Sequence, residues 1–267
     1  MPMIALGLAS YVARPLKYHM DQGWAQGEQA TSAYFKPIKT FAERFEAYVT
    51  DVRDLGFEAV DFWQPILDHK WVTDAHLDAA IDLLNEYGIT VVGFAGPLGA
   101  NAEEFERNCE IAAELNAPLL VGQAAVAAKQ RKLVASTLQK YGLRWAYENN
   151  SEKSAQEILA HAGNNGEGTI GVCADIGWFG THSLDPAEVL PALAPRLFHV
   201  HLKDVRAAGG HETCRFGEGV IPVEQCVRIL SEIGYLGALV IEHEPDSFDP
   251  TEDIRASVDL LKGWLSE

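Results

Sequence analysis

The chain has 267 residues, of which 48% are hydrophobic and 22% are charged, so it is long enough to bury a large globular core. Its formal net charge of −17 at pH 7 argues against a nucleic acid or an anionic membrane surface as partner, since both require basic patches. An excess of acidic groups suits a site that holds a divalent cation.

The cysteine content and the opening residues bear on where the protein works. The four cysteines (Cys109, Cys173, Cys214 and Cys226) form no CxxC pair, which predicts reduced thiols in a cytoplasmic protein. The opening residues, MPMIALGLASY, lack the basic region, long apolar run and cleavage site of a secretory signal. No apolar run is long enough to span a bilayer, so we expect no membrane partner.

The first predicted strand, residues 4–9, is followed by a long stretch at residues 10–39 that is rich in aromatic residues, glycine and glutamine. Loops of this length are usually lids, binding loops or disordered segments. The aromatic content favours the first of these. We therefore predict a lid loop at 10–39.

Beyond residue 39, apolar strand-like segments alternate with segments whose apolar residues recur at helical spacing. The helix at 41–55 is the clearest, with Phe41, Phe45 and Tyr48 on one face and Gly56 at its end. The predicted strands are 4–9, 58–63, 90–95, 117–122, 143–148, 169–175, 198–204 and 238–242. The predicted helices are 41–55, 74–87, 101–115, 125–141, 154–162, 185–193, 222–233 and 251–265.

Eight such alternations predict an α/β fold, a single (β/α)8 TIM barrel over residues 1–267 with no internal domain boundary. A doubly wound open sheet is the competing architecture. It usually has a glycine-rich phosphate loop after an early strand, and neither GxGxxG nor GxxxxGK[ST] is present.

Four of the predicted strands end in a side chain that can bind a metal ion: Glu148, Asp175, His201 and Glu242. In a (β/α)8 barrel, functional residues lie at the carboxyl ends of the strands, and strands five to eight are neighbours. The four side chains are therefore expected to converge on one half of the barrel mouth. Three carboxylates and an imidazole buried together need a cation to offset their repulsion. Oxygen-rich ligation with one nitrogen favours Mn²⁺, with Mg²⁺ and Co²⁺ as alternatives.

Several segments carry a family resemblance: YENN (147–150), CADIG (173–177), HVHLKD (199–204), FGEGVIP (216–222) and GYLGALVIE (234–242). They resemble the xylose isomerase-like TIM barrels, which include sugar isomerases and epimerases, tagatose 3-epimerase, inosose dehydratase and endonuclease IV. The resemblance implies that Glu148, Asp175, His201 and Glu242 are the metal ligands. It also implies that Glu148 and Glu242 are the catalytic acid/base pair on opposite faces of the substrate.

The chain departs from the family pattern at two places. Many members have a histidine three residues after the ligand aspartate, where this chain has Trp178. The epimerases also have an arginine in the loop after strand seven, for which Arg206 and Arg215 are both candidates in the longer loop here, at 205–221. We expect that loop to contact substrate. The predicted substrate-binding residues are Trp63, Trp178, Lys203, His211 and Arg215.

The leading functional hypothesis is a divalent-metal-dependent sugar isomerase or epimerase that removes an α-proton through a metal-stabilised enediolate. Its partner would be a small carbohydrate, and association into a homo-oligomer is left open. The alternative is a metal-dependent lyase or dehydratase acting on a keto-inositol, 3-keto-glycoside or C-glycoside by the same proton abstraction followed by β-elimination. His211 and His69 are then candidates to protonate the leaving group.

An endonuclease IV-type nuclease is disfavoured, since strands two to four end in Trp63, Gly96 and Gln123 rather than histidines. A metal-free binding barrel is the non-enzymatic alternative.

Overall fold

The computed structural model describes residues 2–164 and 166–266, so Met1 and Glu267, the ends of the predicted domain, lie outside it. Eight parallel strands close into a barrel in the order β1-β10-β7-β6-β5-β4-β3-β2. The barrel strands are Ile4–Gly7 (β1), Ala59–Trp63 (β2), Thr90–Ala95 (β3), Leu119–Gly122 (β4), Arg144–Glu148 (β5), Ile170–Asp175 (β6), Leu197–Leu202 (β7) and Leu239–Ile241 (β10). A separate antiparallel ribbon pairs Asp204–Val205 (β8) with Thr213–Cys214 (β9). The predicted (β/α)8 barrel is confirmed.

Helices surround the barrel and cover the outward faces of its strands. They are Trp24–Phe35 (α1), Ile38–Asp54 (α2), Asp74–Glu86 (α3), Ala102–Glu114 (α4), Ala127–Tyr141 (α5), Ala155–Ala162 (α6), Ile176–His182 (α7), Pro186–Leu193 (α8), Val223–Glu232 (α9) and Thr251–Ser266 (α10). Among the described residues, no helix combines the length and the apolar character needed to cross a membrane.

Local signals in the sequence explain where several helices begin and end. The Asn101 side chain accepts a hydrogen bond from the backbone N–H of Glu104 at 3.0 Å, which caps the amino end of α4. Ser154 does the same for α6 through the backbone N–H of Glu157. Gly142, with φ of 67°, ends α5 in the left-handed conformation that glycine adopts most easily.

The stretch predicted as a lid loop differs most from expectation. It contains the 12-residue helix α1 and a 3₁₀ turn at Arg14–Leu16, and Pro37 separates α1 from α2. Gly27 allows α1 to pack closely, because a Cβ at this position would lie 2.3 Å from a methyl group of Val12. Glycine and glutamine in α1 obscured its helical pattern in the sequence. The role of this segment as a lid stays a prediction.

The barrel interior contains both apolar clusters and polar side chains. One buried apolar cluster is formed by Ala5, Ala59, Ala238 and Val240. A second cluster contains Ala95, Leu119, Val121, Ala146 and Cys173. Inward-facing histidines lie beside these clusters, since Val240 is in register with His201 and Cys173 with His199.

Candidate active site

Four side chains meet at the carboxyl ends of β5, β6, β7 and β10. One ligand atom from each of Glu148, Asp175, His201 and Glu242 can be chosen so that all four atoms lie within 4.8 Å of one another. We call these residues the four-residue cluster. The side chains of Asp175, His201 and Glu242 are almost fully buried, and 25% of the Glu148 side chain is exposed. The sequence predicted this convergence.

Strand register explains how four residues at different heights reach one point. Asp175 lies directly opposite His201 across β6 and β7. Glu148 pairs with Cys173, one interior layer lower, and its longer side chain extends upward to place Oε1 2.7 Å from Nδ1 of His201. Glu242 follows β10, and its Oε2 is 3.3 Å from the same nitrogen. The His201 Nδ1 atom therefore faces the two glutamates predicted to act as acid and base.

The opposite ring nitrogen of His201 is held from below by Asp61 of β2. The Nε2 atoms of His201 and His199 lie 2.8 Å and 2.9 Å from the same Asp61 oxygen, Oδ2. A carboxylate only accepts hydrogen bonds, so both histidines donate an Nε2–H to it. The histidines, with burial opposing them, lower the pKa of Asp61 well below its ordinary value and keep it ionised. Asp61 thereby leaves Nδ1 as the ring nitrogen that faces the four-residue cluster, where its N–H donates to Glu148 Oε1 at 2.7 Å. A bound cation would take the place of that proton.

Asp61 was missed from the sequence, because its strand ends at Trp63 and the aspartate lies one interior layer below the barrel mouth. Its position depends on Gly93 of β3, where a Cβ would lie 2.4 Å from the second Asp61 oxygen, Oδ1. That oxygen has no hydrogen-bond partner among residues 2–164 and 166–266. The signals available in the sequence were an aspartate inside a buried strand and a glycine in the neighbouring one.

Lys203 supplies a positive charge next to the four-residue cluster. Its Nζ lies 3.1 Å from Asp175 Oδ2, 2.8 Å from Glu242 Oε2 and 2.8 Å from Glu244 Oε2. Burial would lower the pKa of Lys203, but these carboxylates raise it well above its ordinary value. Burial, reinforced by the Glu242 charge, raises the pKa of Glu244 to about 8. Glu244 is a second residue of the site that was not predicted.

Asp175 is oriented by a backbone N–H two residues further along the chain and by the side-chain amide of Asn149. Its Oδ1 accepts from the backbone N–H of Gly177 at 2.8 Å and caps helix α7. Asn149 clamps the Asp175 backbone, accepting from its N–H and donating to its C=O, each at 3.0 Å. Burial would raise the pKa of Asp175, but Lys203, with His211 and His201, lowers it. The residue therefore remains an anion.

A cavity of about 510 Å³ opens above the cluster, within the range typical of small-molecule sites. We call it the site cavity. Four of the predicted substrate-binding residues, Trp63, Trp178, Lys203 and His211, line it, and their contact with substrate stays a prediction. His211 reaches it from the loop at 205–221 and stacks on Trp178, with ring centroids 3.7 Å apart.

Arg215 is not brought to the site cavity. Its guanidinium binds Asp253 of α10, with Nη2 2.6 Å from Oδ1, and this ion pair holds it at the outer side of the loop. The other candidate in this loop, Arg206, pairs with Glu212 at 2.9 Å. Local ion pairs within reach of each long side chain explain why neither arginine extends into the cavity.

The chemistry of the donor set fits a divalent cation. Three carboxylates and one imidazole nitrogen, directed at a common point and close enough to share an ion, are ligands typical of Mn²⁺, Mg²⁺ or Co²⁺. Lys203 balances part of the negative charge, so the carboxylates are not left uncompensated when they are metal-free.

Comparison with solved structures finds the same barrel in several proteins. A structure of an L-ribulose 3-epimerase superposes with a TM-score of 0.73 at 16% identity, covering 100% of this chain and 95% of the other. A D-tagatose 3-epimerase-like protein gives 0.66 at 19% identity, with 81% and 91% covered. The 3-keto-D-glucoside 4-epimerase of E. coli gives 0.62 at 15% identity, with 82% and 94% covered.

Comparison at the level of sequence gives the family. No curated protein sequence matches the chain. A family model described as "Xylose isomerase-like TIM barrel" matches residues 49–264. The matched residues include seven of the eight barrel strands, β2 to β7 and β10, and all four residues of the cluster. The chain therefore belongs to the xylose isomerase-like TIM barrel family.

Proposed function

We propose that the protein is a divalent-metal-dependent sugar epimerase or isomerase that works by α-proton abstraction and return. The observation that carries the proposal is the convergence of Glu148, Asp175, His201 and Glu242 at the floor of the site cavity. Solved structures with this fold include proteins named as 3-epimerases of tagatose, psicose and ribulose type. Family membership adds to the argument from geometry.

Glu148, Asp175, His201 and Glu242 are the residues that would hold the cation, with Mn²⁺ as the first candidate. A divalent cation bound there would stabilise negative charge on the oxygens of an enediolate. Asp175 and His201 are oriented from outside the cluster, by Asn149 and Asp61, and so would hold their positions during the reaction.

Glu148 and Glu242 are proposed to move the proton. They come from strands on either side of β6 and β7, and each places an oxygen near His201 Nδ1, at 2.7 Å and 3.3 Å. One carboxylate removes the proton from the carbon next to the carbonyl. The other returns a proton to the opposite face, so that a stereocentre inverts without any change in oxidation state. Lys203, beside Glu242, would neutralise a substrate oxygen as charge develops.

The lyase alternative comes second, because the solved structures with this fold compared above are named as epimerases. An elimination needs an acid to protonate the leaving group. Burial, together with the nearby Lys203 charge, lowers the pKa of His211 to about 4, so its ring is largely neutral at pH 7. Glu244 lines the same cavity with a pKa raised to about 8, and is the better proton donor of the two.

The test is a solvent-deuterium exchange screen over ketoses, keto-inositols and 3-keto-glycosides with Mn²⁺ added. We expect exchange at a carbon next to the carbonyl, and a loss of about 10²–10⁴-fold in rate for Glu148→Gln and for Glu242→Gln. Glu232→Gln, at an exposed position in α9, is the matched control and should retain the full rate. Undiminished exchange in both cluster variants would contradict the paired-carboxylate mechanism.

A further inference from the structure

A second, larger cavity adjoins the site cavity. It measures about 1220 Å³, and we call it the outer groove. The two share three lining residues, Glu28, Pro97 and Gln123. The outer groove is lined by residues that follow β2, β3 and β4 and by residues of β5 and α6, and Asp175, His201 and Glu242 are not among them. A monosaccharide fits within the site cavity alone, so the outer groove is additional space.

Helix α1 forms a continuous wall along both cavities. Trp24, Glu28 and Ser32 follow one another at intervals of four residues and so lie on one helix face. Trp24 and Glu28 line the site cavity, and Glu28, Ser32 and Lys36 line the outer groove. A ligand held at the four-residue cluster can therefore extend along this face into the groove.

The outer groove contains polar groups arranged to bind hydroxyls. Ser32 Oγ donates to Asp68 Oδ2 and accepts from Trp71 Nε1, each at 2.8 Å. The side chain of His69 is only 9% exposed, and its Nδ1 is 2.9 Å from Gln64 Nε2. Its Nε2 has no partner within the described part of the chain. Buried polar atoms are nearly always paired, so this nitrogen is an unpartnered polar atom on a residue that lines the outer groove.

The charges along the outer groove favour a neutral occupant. Lys36, Lys70 and Arg131 are interspersed with Glu28, Asp68 and Glu104. Arg131 already donates to the backbone carbonyls of His161 and Ala162, so its guanidinium is committed. Three cationic and three acidic side chains in one groove are unlike a phosphate site, which concentrates arginine and lysine. A polyhydroxylated ring can use donors and acceptors of both kinds.

We propose that the outer groove binds a second, neutral sugar ring joined to the ketose unit that reacts at the four-residue cluster. The substrate class is then a keto-disaccharide or related glycoside rather than a free monosaccharide. This inference rests on the proposed function for the identity of the reacting unit.

The kinetic test compares deuterium exchange with fructose, maltulose, lactulose, isomaltulose and fructose 6-phosphate in the Mn²⁺-loaded protein. We expect at least one disaccharide to have a kcat/KM about tenfold or more above that of fructose. Fructose 6-phosphate should be no better than fructose. A preference for fructose or its phosphate over all three disaccharides would overturn the proposal.

Ala33→Trp narrows the outer groove and leaves the lining of the site cavity unchanged, because Ala33 is an exposed α1 residue that lines only the groove. It should lower kcat/KM for the preferred disaccharide about tenfold and change that for fructose less than about twofold. Ala42→Trp, at an exposed position of α2 outside both cavities, is the control and should change neither value. Equal losses of kcat/KM for fructose and the disaccharide in Ala33→Trp would count against sugar binding in the outer groove.

A binding measurement separates failure of this inference from failure of the proposed function. Saturation-transfer difference NMR with maltulose needs no turnover. We expect signals from both rings with the wild-type protein and loss of those from the second ring with Ala33→Trp. If no sugar exchanges deuterium, the proposed function fails, and the NMR result alone decides whether the outer groove binds a sugar ring. Absence of second-ring signals in the wild type would refute sugar binding there.

Discussion

Asp61 shows how one buried side chain sets the chemistry of another. The carboxylate accepts an Nε2–H from both His199 and His201, so Nδ1 is the ring nitrogen of His201 that faces Glu148 and Glu242. Hydrogen bonds from a metal-ligating histidine to a carboxylate hold the ring orientation and increase its basicity. Asp61 is therefore expected to control metal affinity without touching the metal.

We predict that Asp61→Asn weakens Mn²⁺ binding about 10- to 100-fold, because an amide cannot accept both Nε2–H groups on one oxygen as well as a carboxylate. Titration calorimetry of the metal-free protein with Mn²⁺ measures this directly. Asp259→Asn, on the exposed face of α10, is the control. Unchanged affinity in Asp61→Asn, with a native circular-dichroism spectrum, would show that the orientation of His201 does not depend on Asp61.

At the scale of elements, the loop at 205–221 is held in shape by one carboxylate at its start. Asp204 is fully buried and accepts hydrogen bonds from the backbone N–H groups of Gly217, Gly219 and Ile221, each at 3.0 Å. A Cβ on Gly219 would lie 2.2 Å from Asp204 Oδ1, so glycine is required for this approach. The same loop carries His211 onto Trp178 above the site cavity.

We predict that Asp204→Ala lowers the free energy of unfolding by about 3 kcal/mol, because one buried and two partly buried N–H groups lose a charged acceptor. Urea denaturation measures the loss. Hydrogen exchange at Gly217, Gly219 and Ile221 should accelerate about tenfold or more, which locates the effect in the loop. Glu218→Ala in the same loop should change neither quantity. Unaltered exchange at these three amides would contradict the role given to Asp204.

At the scale of the whole molecule, the proposed cation would couple the acidic cluster to the stability of the barrel that carries it. An ion that binds only the folded chain stabilises it by mass action. The cluster draws residues from four neighbouring strands, β5, β6, β7 and β10, so the ion would link half of the barrel. Lys203 limits the repulsion among the same acids when no metal is bound.

We predict that Mn²⁺ at about 100 times its Kd stabilises the fold by about 2.7 kcal/mol. For a chain of this size the melting temperature should rise by roughly 5–10 °C. Differential scanning calorimetry with and without Mn²⁺ measures the shift, and EDTA should reverse it. The Glu148→Gln, Glu242→Gln double variant should show little shift. A wild-type melting temperature that does not change when Mn²⁺, Mg²⁺ or Co²⁺ is added would remove the basis for a metal site.

The sequence by itself determined the barrel and the convergence of Glu148, Asp175, His201 and Glu242. Strand and helix periods are local properties, and a closed parallel barrel brings the carboxyl ends of its strands to one mouth. The strand period, the helix period and the rule that parallel barrel strands end at one mouth were therefore enough to predict the main elements. Helix α1 was the exception, because its glycine and glutamine residues weakened the local pattern and its packing on Val12 compensates.

Only the tertiary structure decided the contacts that join distant parts of the chain. Asp61 lies 138 and 140 residues before its partners His199 and His201, and no local pattern specifies such a pair. Arg215 is held away from the site cavity by Asp253, and the outer groove has one wall formed by α1. Side-chain partners and cavities depend on how elements pack. Periodicity determines which face of an element is buried, but not which residue of another element contacts that face.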